Sequence, residues 1–185
     1  MSNSQTLDGQ NPALVSFCDG YGTSPADYFF CGISAGRLGA LITRVPFTKD
    51  ASGRIFQRCL GRLGLSKSDE FSLKPDLVNC YVTNLVKGRC LTPNGLNRLP
   101  TGEEIAFWLP KLEEELQQVK PRLLIALGDL VFESLQDEYR RSYTHWGIKL
   151  RKVKHPRNYQ AHGALAFESK SFEQMVTDYK KALKL

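Results

Sequence analysis

No apolar run in this chain approaches the roughly 18 residues that a membrane-crossing helix needs. The opening residues 1–10 are polar, with neither the basic start nor the apolar middle of a secretory signal. A cytoplasmic, intracellular location is the default expectation. Cysteine is sparse, with single residues at 18, 31, 59, 80 and 90 and no CxxC pair. Zinc and iron–sulfur sites are usually built on such pairs. Cys31, Cys59 and Cys80 fall in apolar runs, where a thiol serves as a small buried hydrophobe. No metal site is expected. The chain also lacks a GxGxxG turn after a strand and a GxxxxGK[ST] loop, which removes the common dinucleotide-binding and P-loop classes.

What is there is a 185-residue chain, 42% hydrophobic and 24% charged. That is enough for one domain with its own core, spanning 1–185 with an irregular arm over about 1–26. The formal charge of +6 favours a polyanionic partner without naming one.

Apolar patterning gives the element order. A continuous apolar run predicts a buried strand at 28–31, and helical spacing from Ile55 to Leu63 predicts a helix that Ser52 can cap. A second strand reads 78–83. Thr101 with Glu104 three residues on forms a capping box for a helix to about Val119, with Pro110 inside it. Further strands read 123–128 and 149–153; a helix through Leu135 follows the first, and a C-terminal helix covers 171–185. Strands alternating with helices predict a three-layer α/β/α domain around a central, mostly parallel four-stranded sheet.

Ligands of such sheets bind beyond the carboxyl ends of the strands. Loops 32–52, 84–100 and 155–162 leave those ends, and they hold most of the unusual residues. Phe47 is a large apolar side chain in a polar loop, and Asp50 stands just before a helix, where it also suits a capping role. Asn84 ends a strand and offers an amide donor and acceptor together, or simply closes a turn. Lys87, Arg89 and Arg98 suit phosphates or a solvated surface equally. Pro156 limits the orientations of His155. Arg54, Arg58 and Arg62 form a basic helix stripe that reads first as a solvated face and second as a track along phosphate.

Five segments, in order, resemble the uracil-DNA glycosylase superfamily over roughly 29–159. The run from Val45 to Gly53 is similar to the PFTGDASG-like segment of family 5. Val82 to Lys87 and Asn97 to Glu104 resemble the ITNVVK and NRxPTxEE stretches of family 4. Pro121 to Gly128 is similar to a PKVIVALG strand, and His155-Pro156 matches the HP of the last motif.

This resemblance implies roles residue by residue. Phe47 stacks on a flipped uracil, Asn84 reads the pyrimidine edge, and Asn97 lies near the site. His155 hydrogen-bonds the uracil O2 and steadies the departing anion. Asp50 places or activates water, and backbone amides around Ile33 and Ser34 complete the pocket. Arg157, Asn158 and Tyr159, after the His-Pro turn, are candidates to fill the space that the base vacates. The first motif departs from many relatives, because Ile33-Ser34-Ala35 offers only a hydroxyl; this shifts the catalytic burden toward Asp50.

The four iron–sulfur cysteines of families 4 and 5 are missing: Gly88 stands where one is expected, Phe107-Trp108 occupies the region of another, and the amino-terminal pair is absent. No cluster or other cofactor is expected. The implied activity is hydrolysis of the N-glycosidic bond of uracil in DNA by a monomer. Two other readings stay open: an inactive relative that holds damaged or single-stranded DNA, and a glycosylase for hypoxanthine, xanthine or mismatched thymine.

Overall fold

A computed structural model describes residues 11–138, 140, 143–144, 146–159 and 170–185. Elements follow in the order β1 (Tyr21–Gly22), β2 (Tyr28–Ser34), α1 (Ala40–Thr43), α2 (Ala51–Arg62) and β3 (Cys80–Val86). After them come α3 (Gly102–Val119), β4 (Leu123–Leu127), α4 (Asp129–Glu138), β5 (Lys149–Val153) and α5 (Lys170–Leu183). The sheet order is β1-β3-β2-β4-β5. All neighbours are parallel except β1, which pairs antiparallel with β3. The four expected strands form the parallel part, and β1 adds a fifth, two residues long, at the edge.

Alternation along the strands divides the core into two layers. Phe30, Val82, Ile125 and Leu127 face α2 and α5, meeting Phe56, Leu60, Phe172 and Tyr179. Phe29, Cys31, Leu85, Leu124 and Ala126 face α3 and α4, meeting Leu112, Leu116, Val131 and Leu135. The continuous apolar runs of β2 and β4 follow from burial on both faces.

Caps set the helix starts that border the site. Asp50 rather than Ser52 is the N-cap of α2, its Oδ1 accepting from Gly53 N at 2.7 Å. Thr101 and Glu104 close the expected capping box on α3. Strand β3 runs on to Val86, so Asn84 lies within it, paired with Gly32 of β2, rather than in the loop beyond. Residues 160–162 of the third expected loop fall outside the described residues.

Candidate active site

Strands β2 and β3, the segment before α2 and the turn after β5 open at the same edge of the sheet. There they enclose a cavity of about 630 Å³. Its walls include Ile33 and Ser34 from β2, Phe47 and Asp50 from the loop before α2, and Asn84 from β3. Asn97, His155, Arg157 and Asn158 complete the circuit.

The Phe47 backbone is left-handed, with φ 52°. Such a conformation is uncommon for a bulky residue and needs support from its surroundings. Buried Gln57 supplies it, donating from Nε2 to the Phe47 carbonyl at 3.0 Å. The Phe47 ring packs on Phe56, with centroids 4.8 Å apart, and stands 5.8 Å from the His155 ring. Gly32 lets the ring come this close. A Cβ there would lie 2.6 Å from Phe47 Cζ and 2.5 Å from Asn84 Oδ1. Asn84 is only 1% exposed, and its Oδ1 has no hydrogen-bond partner among the described residues. A buried acceptor left unpaired is costly.

His155 Nδ1 accepts from the main-chain N–H of Arg157 at 3.1 Å. In the neutral ring the proton therefore sits on Nε2. Burial first, and the Arg157 charge second, hold the imidazole pKa down to about 4. Burial raises the Asp50 carboxyl above its ordinary value, against the lowering effect of amide bonds from Gly53 and Ser52. Asp50 Oδ2 faces Gly36 and Gly39, where added Cβ atoms would lie 2.9 and 2.5 Å from it. Asp50 thus caps α2 with one oxygen and borders the cavity as well.

Asn97 Oδ1 accepts from Arg37 N at 2.9 Å, tying the second strand-end loop to the first. Burial first raises the Cys90 thiol above its ordinary value, and the Ser34 side chain acts to lower it. Leu38 and Leu99, neither of them anticipated from sequence, stand on the lip at 59% and 66% exposure. Their only sequence signal is an apolar side chain in a polar loop. Arg157 and Asn158 are exposed on the same lip.

Other expected DNA contacts are placed differently. Lys87 is fully buried beneath β3 and paired with Glu115 at 2.7 Å, so it cannot reach a phosphate. Tyr159 is buried against Tyr179 and donates to Asp178 at 2.6 Å, which removes it from the lip. Arg98 borders the cavity, but its guanidinium is held in a fork by Glu104 at 2.6 and 2.7 Å. Arg89 is exposed away from the cavity lining, with its guanidinium 3.9 Å from the centre of the Phe17 ring.

The residues present do not fit a four-cysteine cluster. Cys90 is packed among Ala13, Val86 and Trp108. Trp108 Nε1 donates to the Ala13 carbonyl at 2.6 Å, and Ala13 backbone fills the space a side chain at Gly88 would take. Burial pushes the Cys31, Cys59 and Cys80 thiols up to about 12, which keeps them protonated. Among the described residues, no group of three or more His, Cys, Asp or Glu is arranged to hold a metal ion.

The sequence model of the uracil DNA glycosylase superfamily matches residues 20–180. The "Type-5 uracil-DNA glycosylase" of Thermus thermophilus is 35% identical over 147 residues, 77% of this chain and 60% of that one. The "Type-4 uracil-DNA glycosylase" of Archaeoglobus fulgidus is 26% identical over 182 residues, 90% of this chain and 80% of that one. The match thus spans less than two thirds of the Thermus relative. Among solved structures, Pedobacter heparinus SMUG2 superposes with a TM-score of 0.61 at 16% identity, covering 86% of this chain and 75% of that chain. That likeness is one of fold.

Proposed function

The chain belongs to the uracil DNA glycosylase superfamily, and on that premise we propose that it hydrolyses the N-glycosidic bond of uracil flipped out of DNA, as a step of base excision repair. The observation that carries this reading is Asn84 Oδ1, without a hydrogen-bond partner among the described residues and buried in the wall of a cavity shared with Phe47, His155 and Asp50. An acceptor in that setting calls for an N–H donor from a ligand. Uracil N3–H is such a donor, the neighbouring O4 takes the Asn84 amide, and the Phe47 ring offers a face to stack on.

Bond cleavage separates charge into an oxocarbenium-like sugar and a uracil anion. Stabilising that charge matters more than nucleophilic push. Neutral His155, with its proton fixed on Nε2 by the Arg157 amide, is suited to donate to O2 as negative charge grows there. The Asp50 carboxylate favours the sugar cation and orients the water that attacks it. The water gives its hydroxyl to C1′ and its proton to solvent through Asp50, and uracil leaves with the glycosidic electron pair.

Extruding the base costs a few kcal/mol, less from a single strand. Arg157 and Asn158 on the lip suit the flanking backbone, and Leu38 and Leu99 suit the faces of flanking bases.

The first motif favours a second, wider reading. Its one side-chain polar group in the cavity wall is the Ser34 hydroxyl, so it places no strong polar group against other deaminated bases. A panel of oligonucleotides carrying uracil, hypoxanthine, xanthine or mismatched thymine, treated with hot alkali after incubation, tests both readings. Alkali-labile sites at uracil support the activity, breaks at the other lesions support the wider range, and unbroken strands throughout leave only a binding protein.

A further inference from the structure

We infer that Lys87 and Glu115 are positioning residues for Asn84, a buried ion pair that sets the place of the base-reading amide from behind the strand. The inference rests on the reading of Asn84 given above.

Lys87 is 0% exposed, and its three ammonium protons have three acceptors: Thr83 Oγ1 at 2.5 Å, the Asn84 main-chain oxygen at 2.7 Å and Glu115 Oε2 at 2.7 Å. No donor is left over for anything outside the protein. Glu115 comes from α3, 28 residues along the chain. Its other oxygen lies 3.4 Å from Thr83 Oγ1 and 3.5 Å from the Tyr81 hydroxyl. The Lys87 carbonyl in turn accepts from Phe17 N and Cys18 N, both at 3.1 Å. Strand β3 is therefore held at Thr83 and Asn84 by the Lys87–Glu115 pair, and Lys87 just beyond its end is held in turn by the segment before β1.

The Asn84 side chain is on the other face. Alternation along β3 sends Tyr81 and Leu85 into the α3 layer and Cys80 and Val82 into the α2 layer. Asn84 follows Cys80 and Val82, beside Phe47 and Gly32. Its main chain is thus held by a charge on one face while its amide borders the cavity on the other.

A buried ion pair is often no more stabilising than a well-packed apolar pair of similar volume. Fixing a reacting or reading group is a different matter, since a misplacement of about 1 Å costs on the order of 100-fold in rate. The ammonium bond to the Asn84 carbonyl supplies that fixation at the residue where it matters.

The test removes both charges together, because deleting one would strand the other. Lys87→Met/Glu115→Met is compared with wild type for single-turnover cleavage of a single-stranded uracil oligonucleotide at saturating enzyme, and for its binding. The expected result is a rate loss on the order of 100-fold with binding unchanged within about two-fold. In an Asn84→Ala background, the same pair of substitutions adds no further loss. Equal losses in both backgrounds, or a folded double variant at wild-type rate, overturn the inference.

The side-chain amide resonances of Asn84, identified by their absence from Asn84→Ala, need no substrate. They are expected to move in the double variant, and unmoved resonances overturn the inference. If the double variant does not fold, Glu115→Gln keeps the volume and an acceptor; the same resonances are expected to move and the rate to fall, and neither changing is the contrary result. A wild type that releases no base would sink the proposed activity, while the resonances still decide the placement of Asn84.

Discussion

The main-chain N–H of Arg157 donates to His155 Nδ1 across 3.1 Å, closing a small turn that decides which ring nitrogen carries the proton. Pro156, between them, has no N–H and holds the turn's backbone. Two neighbours in sequence thereby make the imidazole a donor at Nε2, and burial keeps it neutral with a pKa of about 4.

The pH profile follows from that turn and from Asp50. Neutral His155 and ionised Asp50 coexist above the raised Asp50 value and well above 4. The single-turnover rate is expected to stay flat across neutral pH and fall on the acid side, as Asp50 and His155 take up protons. In Asp50→Asn the remaining acid limb is that of His155 alone, at about 4. A limb near 6.5 in the wild type would mean that the histidine titrates as an ordinary one.

Folding stability carries the same histidine. Its native pKa is depressed, so the unfolded chain binds the proton more readily between 6.5 and about 4. Stability therefore rises with pH through this window, and His155 contributes fully only above it. Urea melts at pH 4.5 and 7 should show this difference shrinking in His155→Gln.

Substitution can separate the cap that Asp50 makes from the catalytic task proposed for it. Asparagine is as good an N-cap as aspartate, whereas alanine costs about 1 kcal/mol. Asp50→Asn is expected to keep stability within about 0.5 kcal/mol while lowering the cleavage rate roughly 100-fold. Asp50→Ala should lose both. Thermal melts and single-turnover rates on the two variants give the comparison, and an Asn variant with full rate would leave Asp50 as a cap alone.

Gly32→Ala should be severe for a steric reason. Its Cβ would lie 2.5 Å from Asn84 Oδ1 and 2.6 Å from Phe47 Cζ, so both groups must move. A rate loss of at least about 100-fold is expected. Wild-type cleavage by a folded Gly32→Ala protein would show that neither group needs its present place.

The exposed leucines give a strand-dependent prediction. If Leu38 and Leu99 pack on bases flanking the extruded one, Leu38→Ala/Leu99→Ala should slow cleavage in duplex DNA by about 10-fold or more. Single strands, already unstacked, should be cut at the wild-type rate. Equal slowing on both substrates is the contrary outcome.

Elements with strong local signals were legible in the sequence. The apolar run of β4 and the Thr101–Glu104 capping box are written in adjacent residues, and both stand where expected. Strand β1 escaped notice because two residues carry no period. The end of β3 was set too early because Asn84 and Lys87 are polar and read as loop. What made the errors was pairing at a distance: Lys87 finds Glu115 on α3, and Tyr159 finds Asp178 on α5. A lysine or tyrosine beside a strand end gives no local sign that a carboxylate far along the chain will take it inward. The cavity residues were more readable, since strand-end loops of a parallel sheet converge by topology.

Release of free base from a single-stranded uracil oligonucleotide, followed by chromatography under saturating enzyme, tests the central claim most directly. Wild type should liberate uracil and leave an abasic strand, and His155→Ala should do so roughly 100- to 1,000-fold more slowly while binding the strand equally well. No uracil from wild type, or a His155→Ala rate equal to it, would contradict the account.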